Sequence, residues 1–333
     1  MRTGTDGHNG SPRRARRIRH SIDDRVHDMH VAITGARGMI GGALAASLRS
    51  DGHTVTGVTR SEPGPDELQW SPDDQRIDVD GLRGVDAVVH LAGEPIAFSS
   101  LTPKGIAEAR WSPDRKRRIL DSRVNGTTLI ARTLATMDDG PKVMVSASAI
   151  GYYGDRGDDT LTEASAPGDL FLSQVCRQWE AAAEPARAAG IRVVHPRIGL
   201  VQTPDGGALA QSLPLFKLGV GGPFGDGSDW WSWVMLDDVV GILCHALTTD
   251  DLSGPINVTA PEPVTNHTWS KTLGRVLSRP AFVPIPRFGP RLVFGEMADE
   301  LLYASARVLP AATTDSGYAF RHPTLEAGLR SVL

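Results

Sequence analysis

The run Val31-Ala32-Ile33-Thr34-Gly35-Ala36-Arg37-Gly38-Met39-Ile40-Gly41 decides how this chain folds. Val31 to Thr34 is short, apolar and partly β-branched, as a buried strand is, whereas Ile40 to Ser50 has the spacing of a helix with one apolar face. A strand that turns directly into a helix over a dinucleotide needs glycine for the tight turn, for close approach of the backbone to the pyrophosphate, and for close helix packing. Gly35, Gly38 and Gly41 stand at those places. With 36 glycines in the chain the spacing alone carries little weight, so the context decides: strand before, helix after, and a second small-residue turn, Leu91-Ala92-Gly93, closing a later apolar strand. The expected cofactor-binding residues are therefore Gly35, Arg37, Gly38, Met39, Ile40 and Gly41, with Leu91, Ala92 and Gly93 facing them.

Working outward, apolar runs alternate with helical stretches. Thr54–Thr59, Asp86–Gly93, Lys142–Ala147 and Ile191–Pro196 read as strands, and Arg115–Met137 and Phe171–Ala189 as helices. This alternation predicts βαβ units and an α/β, Rossmann-type doubly wound parallel sheet of six strands. The sheet domain is expected over residues 29–200, with later elements at 234–260 returning to it. Residues 201–333 should form mainly a smaller substrate lobe; they include a glycine-rich stretch, Trp230-Trp231-Ser232-Trp233, and a helix over Leu236–Thr248. Residues 1–28 carry seven arginines and almost no apolar pattern, so a disordered basic extension is expected, or translation starting at Met29.

Composition narrows the function. A net charge of −4 and a pI near 6.2 give no global attraction for nucleic acid, and the Arg13–Arg19 cluster reads as a solvated tail. Cys176 and Cys244 are the two cysteines, without the spacing of a disulfide framework or a zinc site; no metal is expected. No signal-peptide core and no membrane-length apolar run is present. A cytoplasmic protein acting on a small molecule follows, with neither nucleic acid nor membrane as partner; a homodimer is left open.

The cofactor's identity is read from the end of the second strand. NAD-specific sites place Asp or Glu there for the adenosine ribose 2′-hydroxyl. Here the sequence is Val58-Thr59-Arg60-Ser61. Arg60, with Thr59 beside it, suits a 2′-phosphate, and Arg37 stands ready on the other side, so NADP (NADPH) is expected before NAD.

Several stretches together resemble one family. They are Ile33–Gly41, His90-Leu91-Ala92-Gly93-Glu94-Pro95-Ile96, Asp121-Ser122-Arg123-Val124, Ser146-Ala147-Ser148-Ala149-Ile150-Gly151-Tyr152-Tyr153-Gly154 and Trp233-Val234-Met235-Leu236-Asp237-Asp238. They resemble the atypical extended short-chain dehydrogenase/reductases, the sugar-nucleotide epimerase-like subgroup of the NAD-dependent epimerase/dehydratase superfamily. The tail from about Arg287 resembles a C-terminal domain of unknown function that accompanies it. The resemblance implies an epimerase or oxidoreductase, and it exposes a departure. Active members carry Tyr-x-x-x-Lys on the helix here read as Phe171–Ala189, and no such pair exists. If Glu180 is aligned with the acid that often follows the family's Lys, Leu172 and Cys176 stand where Tyr and Lys would. Ser148, Tyr153 and Tyr152 then become the expected catalytic residues, Ser148 as hydroxyl donor and Tyr153 as acid/base; the tyrosines packing the cleft mouth is the alternative. Cys176, His195 and His245 read as structural, and at least one of Trp230, Trp231 and Trp233 as core. Two functions stay open: an NADP-dependent oxidoreductase or epimerase with non-standard catalytic residues, and a non-catalytic NADP(H)-binding sensor or regulator.

Overall fold

Strand β1 (His30–Thr34) enters the glycine turn and leaves it as helix α1 (Met39–Ser50), followed by β2 (Thr54–Thr59) and β3 (Glu67–Ser71). The chain continues through β4 (Ala87–His90), α2 (Pro113–Ala135), β5 (Val143–Ser146), α3 (Phe171–Ala181) and β6 (Arg192–Ile198). After a lobe of short elements, α4 (Leu236–Thr248) and β7 (Gly254–Val258) come back to the sheet. This computed structural model describes residues 28–97, 105 and 110–333, so the reading of the N-terminal extension falls almost wholly outside the described residues.

The parallel strands run in the order β3-β2-β1-β4-β5-β6-β7, and the short segment Arg76–Ile77 pairs antiparallel with β3 at the edge. The order reverses between β1 and β4, the crevice where ligands of doubly wound sheets bind. Val31, Ala32 and Ile33 are fully buried because both faces of the sheet are covered, which explains an apolar run without alternation. Ile33 and Val89 face one side with Leu44 and Leu48 of α1 and Ile242 and Leu243 of α4. Ala32, Val88 and Met144 face the other, against Leu129, Ile130 and Leu134 of α2. Each such leucine or isoleucine contributes roughly 1.5–3 kcal/mol on burial.

The structure corrects the sequence reading in three places. The helix expected over Phe171–Ala189 breaks after Ala181 and resumes as Glu184–Ala188, since Pro185 has no N–H to donate and fits only a first turn. The strand expected to end at Pro196 runs to Ile198. The described sheet has seven parallel strands in its main path rather than six. The unanticipated strand is β3, a polar edge segment in which Trp70 alone is buried.

The lobe has a core of its own, built from Leu209, Phe216, Trp231, Trp233, Trp269 and Leu329. The C-terminal region is stitched to the sheet domain: Arg307–Val308 pairs with Thr160–Leu161, and the Asp238 carboxylate accepts from the Arg321 and His322 backbone N–H groups.

Candidate active site

The glycine turn is held by its own neighbours. Thr34 Oγ1 accepts from the backbone N–H groups of Leu91 and Ala92, both at 3.1 Å, and so ties the end of β1 to the end of β4. Gly35 has φ +71°, and a Cβ there would lie 3.2 Å from Ala92 N. At Gly41 a Cβ would lie 2.2 Å from Gly35 O. No side chain caps α1 and no acid lies in its first turn, which leaves the first-turn N–H groups and the positive end of the helix dipole for an anion. The turn therefore fits a dinucleotide pyrophosphate.

Two cavities open from this turn. The larger, about 580 Å³, extends over the sheet's C-terminal edge and is walled by Gly35–Gly41 residues, Gly93, Ala147 to Gly151, α3 and part of the lobe. The smaller, about 320 Å³, is walled by Arg37, Thr59, Arg60, Glu67, Ala92 and the same glycines. Arg60 is exposed beside it. Arg37 instead holds Glu67 through Nε at 3.0 Å and Nη2 at 2.7 Å. The Gly64 N–H and then Arg37 keep the Glu67 carboxyl below the usual carboxylate range. Sequence reasoning missed Glu67 because it missed β3.

The expected catalytic trio does not converge on the larger cavity. Ser148 is in its wall and donates from Oγ to Glu180 Oε1 at 2.7 Å. Tyr153 lies elsewhere: it is fully buried, donates to Asn257 Oδ1 at 2.7 Å and accepts from Arg197 Nη1 at 3.0 Å. Burial pushes its phenol up to about 12. The Tyr152 ring is half-buried beneath the Arg197 guanidinium, 3.4 Å from Cζ to centroid. Of the short 3₁₀ turn Ile150–Tyr153, Ile150 and Gly151 are in the wall and the two tyrosines are not. Tyr153→Phe should thus leave any turnover intact and lower stability by about 1–3 kcal/mol, since Asn257 and Arg197 lose a buried partner. Denaturant melts and initial rates on one preparation check this; a rate collapse without destabilisation would make Tyr153 the acid/base.

What does face the cavity differs from the expectation. Leu172 and Cys176, the residues aligned with the family's Tyr and Lys, are both in its wall. Burial pushes the Cys176 thiol up to about 11, and Sγ lies 3.6 Å from Ala149 O. The charged residues among the described wall are Glu94, Arg123 and Glu300. Glu94 pairs with Arg115. Glu300, from the C-terminal region, accepts from the Phe171 and Leu172 N–H groups at 2.9 and 2.8 Å and so caps α3; burial raises its pKa against these bonds. Arg123 packs its guanidinium between Gly93 and the Trp179 ring. Burial lowers its pKa. Arg123 was legible as part of a motif but not as a wall residue, and nothing in the sequence marked Glu300. Trp230 and Trp231 are in the wall, whereas Trp233 is core. His195 is buried with its pKa lowered to about 4 by burial, and bonds Ser146 O and Arg187 outside the wall.

This sheet order, with a glycine turn at the switch point and a cavity above it, defines a Rossmann-type dinucleotide-binding protein. Residues 31–259 match the NAD dependent epimerase/dehydratase family, and the chain belongs to that family. Residues 285–332 match a domain of unknown function (DUF1731). The epimerase family protein ML0860 of Mycobacterium leprae is 39% identical over 300 residues, covering 90% of this chain and 94% of that one. The crystal structure of human epimerase family protein SDR39U1 (isoform 2) with NADPH is 35% identical and superimposes with a TM-score of 0.83, covering 91% of this chain and 99% of the other. A nucleoside-diphosphate sugar epimerase from Corynebacterium glutamicum is 37% identical with a TM-score of 0.75; the match covers 92% of this chain and 58% of that protein's length. Among the described residues no helix is long and apolar enough to cross a membrane.

Proposed function

We propose that this chain binds NADPH in preference to NADH and carries out oxidoreductase or epimerase chemistry on a small carbonyl or hydroxyl compound, without the Tyr-Lys pair. The setting is the cytoplasm, in keeping with two free cysteines. The observation that carries the reading is the larger cavity itself: it joins the glycine turn to a pocket on the face where the family's catalytic helix runs, yet that helix presents Leu172 and Cys176. NADPH in the human relative's crystal structure supports the cofactor. Gly35, Gly38, Met39, Ile40 and Gly41 would hold the pyrophosphate, and Arg60 and Thr59 the 2′-phosphate, with Arg37 joining if it leaves Glu67. When bound, NADPH supplies the hydride.

The chain's own residues supply little proton chemistry. Ser148 already donates to Glu180, so toward the cavity it accepts a hydrogen bond. Both Glu180 carboxylate oxygens are taken up by Arg197 Nε and Nη2. Turnover of general aldehydes, ketones and UDP-sugars should therefore be slow, with any efficient reaction confined to a substrate that positions its own proton-transfer group. Titration calorimetry tests the cofactor reading. NADPH should bind more tightly than NADH, and Arg60→Ala should weaken NADPH about tenfold while leaving NADH unchanged. Equal affinities in the wild type would overturn it.

A further inference from the structure

We propose that the substrate is a compact, mostly apolar molecule carrying a single carboxylate, and that Arg123 receives this group. The inference rests on the cofactor reading above, and replaces a sugar nucleotide by a different class of substrate. Arg123 is the lone basic residue in the described wall of the larger cavity. Its Nη1 donates to the backbone oxygens of Glu94 and Ile119, both at 3.0 Å. Its other face rests on the Trp179 ring, 5.0 Å from Cζ to centroid, and a Cβ at Gly93 would lie 3.3 Å from Cζ. Among the described residues no carboxylate forms an ion pair with it: Glu94 is taken by Arg115, Glu180 by Arg197, and Glu300 by the start of α3. A cation wedged between a backbone and an indole, with no described carboxylate in ion-pair contact, is costly unless an anion completes it. One guanidinium fork matches one carboxylate.

The rest of the wall sets the body of the molecule. Ile96, Leu172, Val175, Trp179, Trp231 and Leu301 line the same cavity. A nucleoside diphosphate would need further cations, and among the described wall residues Arg123 has none beside it. The space is also shared, because the glycine turn borders the same 580 Å³, so the nicotinamide end of the cofactor would fill part of it. What remains suits a short aliphatic or aromatic acid, oriented by its carboxylate at Arg123.

The test is calorimetry on the full chain, with and without saturating NADPH, using octanoate, benzoate, their neutral amides and UDP-glucose as probes. At least one carboxylate should bind the wild type at least tenfold more tightly than its amide. Arg123→Gln, which keeps a donor for the backbone oxygens, and Arg123→Met should both erase that ratio while NADPH affinity stays within twofold. A ratio that survives both substitutions, a lack of carboxylate binding, or UDP-glucose binding more tightly than either acid would overturn the proposal. A tenfold loss of NADPH affinity in both variants would also overturn it, by assigning Arg123 to the cofactor. If the wild type fails to bind NADPH, the cofactor reading falls, and the carboxylate ratio measured without NADPH still judges Arg123 by itself.

Discussion

Arg197→Met should lower the stability of this protein by about 3–5 kcal/mol, because it strands a carboxylate in the interior. Arg197 grips Glu180 with Nε at 2.8 Å and Nη2 at 2.9 Å, and their side chains are only 3% and 14% exposed. Nη1 meets the Tyr153 hydroxyl, and the guanidinium lies over the Tyr152 ring. Removing the guanidinium leaves Glu180 with the Ser148 hydroxyl as its remaining hydrogen-bond donor, too little for a buried charge. A fall in melting temperature on the order of 10 °C is expected. The double replacement of Arg197 by Met and Glu180 by Leu should recover most of the loss, since an apolar pair often replaces a buried ion pair at little cost. Calorimetric melts of the three variants decide it; a single-variant loss below about 1 kcal/mol would show that water reaches Glu180.

The second large effect belongs to the glycine turn. Gly41→Ala would set a methyl group 2.2 Å from the Gly35 carbonyl oxygen, a backbone atom that cannot swing aside like a side-chain tip. Gly35 is itself confined by its positive φ and by Ala92 behind it. The helix and turn must therefore separate, and the anion site formed by the first turn of α1 is displaced. NADPH affinity should fall at least tenfold while the overall fold is retained, as a displacement of under an ångström suffices to lose charge-assisted contacts. The adjacent residue is the control. At Gly42 a Cβ would lie 3.5 Å from the Ala36 oxygen, an ordinary contact, so Gly42→Ala should raise stability by about 0.5–1 kcal/mol through helix propensity and leave binding alone. Nucleotide fluorescence titrations on the pair separate them; equal binding by Gly41→Ala and wild type would show that the turn is not the cofactor site.

How much of this was readable in advance depended on the range of the interaction. The turn was legible because its chemistry is local: strand, three glycines and helix follow one another in the chain. The two-sided burial of β1, β4 and β5 was legible because it leaves unbroken apolar runs. β3 was not, since an edge strand with one buried tryptophan has no pattern to read. The break before Pro185 was visible in principle, but the apolar spacing of α3 carried the reading past it. At the candidate site Ser148 stands in the wall as expected, whereas the tyrosines four and five residues on are turned off by a single 3₁₀ turn, a rotation that spacing cannot report. The partners of Arg197, namely Glu180 and Tyr153, and those of Glu300 are 17 to 129 residues distant, and single-chain reading has no access to such pairs.

Glu300 gives the two stretches that match separate families, 31–259 and 285–332, a shared fate. A residue of the second supplies the hydrogen bonds that begin a helix of the first, and that helix is a wall of the cavity. Undocking the tail would uncap α3, so a ligand that steadies this wall must also fasten the tail, and the tail must sharpen the ligand's fit by the same free energy. A graft exchanging the last fifty or so residues between relatives would carry function across only if it brought an acid to this position.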